Sequence, residues 1–307
     1  MSLPAGYRLR TAAFEHDLDA AVAILQACDL HDVGFADDVS DWIRDDWTGS
    51  AHRGAWIVED ASGAPCAFAD LGATDPSSTI DAFCPVLPTH REAVRPVLVA
   101  TLEREALAIS VGSPRLLLTF SATEGASQVA GAAGFTLART FWHMHRPIDA
   151  LFAATPPPSG VTIRPYDAVT DDRLGWELIQ EAFAGHFGID PMTFEDYLHD
   201  VIDSEMWNPA LASIAELGGI PVGIVTGYLL GDVGWVGDLG VLASGRGRGI
   251  GRALLERAFE QLASQQAVHV QLNVDSGNET GATRLYEAAG MTVRRVFHCY
   301  EKVLRPG

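Results

Sequence analysis

Ser244-Gly245-Arg246-Gly247-Arg248-Gly249-Ile250-Gly251-Arg252-Ala253-Leu254-Leu255 is the stretch that decides how this chain is read. Before it, Trp235-Val236-Gly237-Asp238-Leu239-Gly240-Val241 reads as a strand; after it, a helix is expected over about 249–264. A glycine turn between a strand and a helix lets backbone N–H groups approach phosphate oxygens with no Cβ in the way, and it tolerates positive φ. The helix N-terminus adds the positive end of its dipole. Arg246 and Arg248 can add charge-assisted contacts. The stretch is an anion-binding device suited to a pyrophosphate.

Two common pyrophosphate motifs fail here. No Lys-Ser or Lys-Thr follows the glycines, so the P-loop pattern is absent. The spacing Gly-x-Gly-x-x-Gly meets Ile250 when counted from Gly245 and Arg252 when counted from Gly247. The turn also follows four strands of its half, whereas a dinucleotide-binding fold carries it at the first strand. An oxidoreductase using a dinucleotide therefore conflicts with the sequence.

About 30 residues downstream stands Leu272-Asn273-Val274-Asp275-Ser276-Gly277-Asn278-Glu279-Thr280-Gly281-Ala282-Thr283-Arg284-Leu285-Tyr286-Glu287-Ala288-Ala289-Gly290-Met291. Arg-x-x-Gly-x-Gly followed by this segment resembles the two signatures of the GCN5-related N-acetyltransferase (GNAT) superfamily, with Met291 where the family usually has Phe. The resemblance implies acetyl-CoA as cosubstrate, held by Leu239, Gly240, Val241, Arg246, Gly247, Arg248, Gly249, Ile250, Gly251, Arg252 and Asn278. It implies strands splayed at a bulge near Leu239-Gly240-Val241, with the Val241 N–H polarising the thioester carbonyl. An amine then attacks directly. Tyr286 would protonate the departing thiolate, and Asp238 is the candidate base. Structural readings stand beside these: Tyr286 as packing, Asp238 as a loop cap, and Asn278 as a cap for a helix starting near Glu279. His269 and His298 are read as structural, while His186 lies in the region that walls the acceptor site in this family.

The chain is also written twice. Ala132-Ala133-Gly134-Phe135-Thr136-Leu137-Ala138-Arg139-Thr140-Phe141 matches Ala288-Ala289-Gly290-Met291-Thr292-Val293-Arg294-Arg295-Val296-Phe297 at six of ten positions. Leu9-Arg10 likewise corresponds to Ile163-Arg164. A tandem duplication is expected, with a degenerate GNAT-like domain at 5–150, a proline-rich linker at 151–160 and a catalytic GNAT domain at 161–307. The fold class expected is α+β: two tandem GNAT-like domains, each a mixed, mostly antiparallel sheet flanked by helices and splayed at a central β-bulge.

In the second half the strands expected are 162–164, 210–216, 221–228, 235–241, 268–274 and those around 291–303 that finish the domain. Helices are expected at about 172–185, within 186–205, at 249–264 and at 279–289. In the first half the matching turn is dismantled. Arg91 aligns with Arg246, but Val94 and Pro96 replace Gly249 and Gly251, Glu92 adds negative charge, and Ala130 stands at Tyr286.

Bulk properties narrow the partners. The chain has 307 residues, 20% of them charged, with a formal net charge of -19, which argues against a broad nucleic-acid surface. The acidic balance suits a cationic small molecule or serves only solubility. Cys28, Cys66, Cys84 and Cys299 show no metal or disulfide spacing. Neither a signal peptide nor a membrane span is read, so a cytoplasmic monomer or homodimer is expected. The reading is an acetyl-CoA-dependent N-acetyltransferase acting on a primary amine of a small molecule, with a mycothiol-type precursor or an aminoglycoside among the candidates. The tandem plan resembles actinobacterial acetyltransferases of the mycothiol synthase type. The alternative is a non-catalytic acyl-CoA-binding regulatory protein.

Overall fold

The computed structural model describes residues 3–37, 39–122, 125–278 and 280–305. The first half runs β1 (Arg8–Thr11), α1 (Phe14–Val33), α2 (Ser40–Thr48), β2 (His52–Glu59), β3 (Pro65–Gly72), β4 (Thr79–Phe83), α3 (Arg91–Ile109), β5 (Arg115–Ser121), α4 (Ala126–Ala132) and β6 (Thr136–Pro147). The second runs β7 (Val161–Pro165), α5 (Asp172–Phe183), α6 (Phe194–Tyr197), β8 (Ser213–Leu217), β9 (Ile220–Leu230), β10 (Val233–Val241), α7 (Ile250–Ser264), β11 (His269–Asp275), α8 (Ala282–Ala288) and β12 (Thr292–Val303). The α+β class is as expected.

Two compact units form, Met1–Phe141 with Arg295–Gly307, and Trp142–Arg294. In the first unit the strand order is β1-β2-β3-β4-β5-β12; in the second it is β6-β11-β10-β9-β8-β7. β12 pairs antiparallel with β5 from Phe297/Ser121 to Val303/Arg115. The strand expected to finish the second half therefore completes the first unit's sheet, and β6 supplies Met144 and Ile148 to the second unit's core. Compact units and duplicated sequence halves consequently have different boundaries. Residues of the expected linker pack on α7: Phe152 lies edge-on to Phe259 at 5.8 Å, and the Thr155 N–H donates to Glu256 at 3.0 Å.

Each unit has its own core. In the second, α7 buries Leu254, Leu255, Ala258, Phe259 and Leu262 against the sheet, apolar positions three and four residues apart that share one helix face. The region read as one helix within 186–205 is only the short α6 continued by a π turn at Leu198–Ile202. Thr193 caps α6 through its hydroxyl, which accepts from the Asp196 N–H at 3.1 Å.

The duplication is visible as chemistry. In the first unit Arg10 forks onto Asp17 (2.6 and 2.7 Å) and reaches Glu59 through Nε (2.7 Å). In the second, Arg164 forks onto Asp171 (2.5 and 2.9 Å) and reaches Glu216 through Nε (2.8 Å). Each arginine ties the first strand to the start of the first helix and to the neighbouring strand. Arginine hydrogen bonds hold both aspartates below the usual carboxylate range. Asp171 is 5% exposed, so Arg164→Met strands a buried carboxylate. Urea denaturation at neutral pH is expected to show a loss of about 2–3 kcal/mol, less than for a fully buried pair because the arginine is partly solvated. The lowered pKa of Asp171 stabilises the fold above the unfolded value of about 3.9, and that contribution disappears as pH falls through the folded value. The gap between wild type and Asp171→Asn should therefore narrow in acid.

Candidate acyl-CoA site

β10 begins as an interior strand. It pairs parallel with β11 over Val233/His269 to Trp235/Gln271 and no further. On its other side the register against β9 jumps between Val236/Gly227 and Leu239/Val225, so three steps on β10 face two on β9. This is a β-bulge at Gly237-Asp238. It falls just before the Leu239-Gly240-Val241 position read from sequence, and Asp238 sits on it. Past the bulge β10 keeps β9 as its partner while β11 diverges, which leaves a slot between the two parallel strands.

Strand alternation tells which groups face that slot. The Asp238 N–H donates to Thr226 Oγ1 (2.8 Å) and the Leu242 N–H donates to the Val222 carbonyl (2.8 Å), both toward β9. Backbone groups point to alternate sides along a strand, so the Leu239 and Val241 N–H groups point away from β9, into the slot. Gly240 is required for another reason: a Cβ there would lie 2.7 Å from Ala182 Cβ. Its absence lets the end of α5 close on the strand. His186 stacks edge-on to Phe183 at 5.3 Å and is thereby carried to the same wall.

The glycine turn follows. Gly247 and Gly249 have φ of 72° and 78°, a left-handed region that costs other residues strain. α7 starts at Ile250 with Gly249 as its N-cap, no side-chain cap and no acidic residue in its first turn. Its first helical bond runs from the Ala253 N–H to the Gly249 carbonyl, so the N–H groups of Ile250, Gly251 and Arg252 lie ahead of the helical ladder. Arg246 is partly committed: its Nε donates to the Val241 carbonyl at 3.0 Å, bracing the turn. Arg252 pairs with Glu256 at 2.7 Å, while Arg248 is exposed. The residues present fit a pyrophosphate: open N–H donors, positive-φ glycines and guanidinium groups on one turn.

α8 packs beside the start of α7, where a Cβ built on Gly251 would make an ordinary contact of 3.4 Å with Leu285 Cδ2. α8 carries Tyr286, 7% exposed, and burial pushes its hydroxyl up to about 12. α8 begins at Ala282 after Gly281 in the left-handed region, later than the 279–289 expected, and Glu279 lies outside the described residues. Asn278 is not that helix's cap; its Oδ1 accepts from the Thr280 N–H at 2.8 Å and closes the preceding turn.

Asp238 is half-buried. Burial raises its pKa, and the Thr226 hydroxyl at 3.4 Å partly opposes the rise. Thr226 escaped the sequence reading, as did Tyr197 on α6, which is 1% exposed and pushed up to about 12 by burial, with the Asp238 charge adding to it. A threonine inside an apolar strand and a tyrosine in a polar helix carry no local signal. His269 and His298 stay away from this arrangement, on β11 beside His145 and on β12 beside Tyr300 in the first unit.

The first unit departs at the matching turn. Arg91 Nε donates to the Val86 carbonyl (3.1 Å) as Arg246 does to Val241, but its Nη atoms fork onto Asp32 at 2.7 Å each. α3 begins at Arg91 itself, with Glu92 in its first turn and Pro96 inside. Helical backbone thus occupies the place of the glycine turn, and Ala130 on α4 is fully buried where α8 has Tyr286.

The family described as Acetyltransferase (GNAT) matches residues 176–291. A mycothiol acetyltransferase of Thermobispora bispora is 35% identical over 54% of this chain, and the match spans 58% of that protein. A mycothiol acetyltransferase of Salinispora arenicola is 30% identical over 76% of each chain. Among solved structures, a GCN5-related N-acetyltransferase from Sphaerobacter thermophilus is 27% identical with a TM-score of 0.84, covering 100% of this chain and 98% of that one. A tandem GNAT protein from the clavulanic acid biosynthesis pathway shares the fold, with 14% identity, a TM-score of 0.70 and coverage of 98% and 99%. Among the described residues no helix is long and apolar enough to cross a membrane. Parted strands, glycine turn and tandem plan thus coincide with these likenesses, and the chain belongs to the GNAT acetyltransferase family.

Proposed function

We propose that the unit Trp142–Arg294 transfers an acetyl group from acetyl-CoA to a primary amine of a small molecule, by direct attack and at one site. The observation that carries this reading is the slot between β10 and β11, with the Leu239 and Val241 N–H groups turned into it. The open N-terminus of α7 follows directly on β10. The relatives named mycothiol acetyltransferase support a small-molecule acceptor.

When bound, acetyl-CoA supplies the activated acyl group. The chain's residues do the rest. The turn 246–252 and the first N–H groups of α7 hold the pyrophosphate. Val241 N–H stabilises negative charge on the carbonyl oxygen as the amine attacks. Asp238, its pKa raised, takes the amine proton directly or through water. Tyr286, still protonated at neutral pH, gives its proton to the thiolate leaving group. With a helical turn at Arg91 and alanine at 130, the first unit offers neither grip nor acid.

Three measurements test this. Gly249→Pro forces φ from 78° to about -65° and removes an N–H. Calorimetry should then detect no acetyl-CoA binding, and wild-type affinity would discard the grip. Tyr286→Phe keeps the buried ring, so binding should persist while turnover falls about 10²- to 10⁴-fold; weaker binding with normal turnover would make Tyr286 a packing residue. The base must be deprotonated to act, so kcat/KM should fall as pH drops through the raised pKa of Asp238, while Tyr286, at about 12, imposes no limb near neutrality. In Asp238→Asn that acid limb should lose its carboxylate component. An unchanged limb and rate would exclude Asp238 as the base.

A further inference from the structure

The first unit contains a cavity that the acetyl-transfer reading leaves unused. β4 and β5 pair in parallel from Thr79/Arg115 to Phe83/Thr119. Beyond that point the chain leaves β4 through Cys84-Pro85-Val86, and a cavity of about 30 Å³ opens, walled by α1, this turn, β5 and the start of α3. A single water needs roughly 10–15 Å³ measured in this way. The cavity is therefore sized for two or three water-sized groups and far too small for a pantetheine arm.

The lining holds two carboxylates, Asp29 and Asp32, and two guanidinium groups, Arg91 and Arg95, but the hydrogen bonds leave Arg95 out. Arg91 is satisfied by Asp32, both of whose oxygens it occupies. Asp29 is taken by Arg295 at 2.9 Å. Arg95, one turn along α3, remains. It is 6% exposed, lies over the Phe120 ring at 5.2 Å, and its Nε has no hydrogen-bond partner among the described residues. The adjacent thiols supply no negative charge: burial pushes Cys84 up to about 12 and raises Cys28 as well. A guanidinium cannot escape by deprotonating within a protein, and a buried charged group with a donor left unpaired is strongly disfavoured. In the aligned register Arg95 stands where the other half has Ile250, so this cation is particular to the first half.

We propose that this cavity is a binding site for a small carboxylate monoanion of the size of formate, held by the Arg95 guanidinium. The planar fork matches a carboxylate, and Leu25, Phe83 and Val86 give its carbon end an apolar wall. The site needs nothing from the proposed reaction in the second unit.

The test uses the full chain with formate as the probe. Binding is followed by line broadening of ¹³C-formate, and the unfolding temperature is measured in sodium formate against sodium chloride at equal ionic strength. Saturable binding is expected in wild type and in Gly249→Pro, whose acetyl-CoA grip is disabled. Arg95→Met should bind formate at least about tenfold more weakly, lose the formate-dependent rise in Tm, and melt no lower than wild type in anion-poor buffer. Arg95→Lys keeps charge without the fork; it should fold as wild type does and also bind about tenfold more weakly. Equal formate affinity in wild type and the Arg95 variant that folds would overturn the proposal. So would an equal Tm rise in chloride, or no saturation in wild type, which would leave Arg95 solvated by water alone.

Discussion

The second unit depends on one backbone event, the departure of β10 from β11 after three paired residues. A continuous parallel ladder would consume the N–H groups of Leu239 and Val241. The bulge at Gly237-Asp238 turns the strand so that β9 alone holds it. Small residues make this possible on both faces. A Cβ at Gly240 would strike Ala182, and one at Gly223 would come within 2.9 Å of the Gly240 carbonyl. Overpacking of that kind costs about 1–3 kcal/mol where backbone has to yield. The same bulge places Asp238 against Thr226 and half-buries it, so the opening of the slot and the raised carboxylate pKa have one geometric origin.

Both units inherited a common frame and spend it differently. The arginine ties at Arg10 and Arg164 are the same lock, and the bonds from Arg91 to Val86 and from Arg246 to Val241 are the same brace. Divergence starts one residue past the brace. Glycines after Arg246 hold the chain in left-handed turns and delay the helix to Ile250. Without glycine after Arg91 the backbone enters the helix at once, and Glu92 answers the helix dipole from within the chain. A dipole satisfied by its own carboxylate has little left for a phosphate.

Much of this was legible in the sequence because its signals are local. The glycine-arginine turn, the strand before it and the helix after it each follow from a few adjacent residues, and α7 begins within one residue of its expected start. The repeated segment at 132 and 288 exposed the duplication. That similarity also concealed the exchange of last strands. β6 and β12 descend from one pattern, each suits either sheet, and alternation along a strand says nothing about which partner it joins. The bulge was misplaced by about two residues because Gly237 and Gly240 both permit irregular backbone, and only the ladder to β9 decides between them. Asn278 had two readings, a CoA contact and a helix cap, and Gly281, with φ of 83°, removes the second by delaying the helix to Ala282.

The charge distribution reconciles two ligands of opposite sign in the proposed reaction. A net charge of -19 repels a pyrophosphate and attracts a protonated amine at long range. At about 8 Å in physiological salt, however, most of that field is screened. A phosphate at the start of α7 responds chiefly to open N–H groups, Arg246 and Arg248, on a first turn that carries no carboxylate. The amine meets the reverse situation. It arrives as a cation but attacks only when neutral, and an ordinary aspartate would be too weak a base to hold its proton near neutral pH. Burial at the bulge raises the proton affinity of Asp238, which shifts that transfer in the productive direction. In the proposed reaction the acidic surface would bring the acceptor near, and the half-buried carboxylate would then remove the charge that brought it.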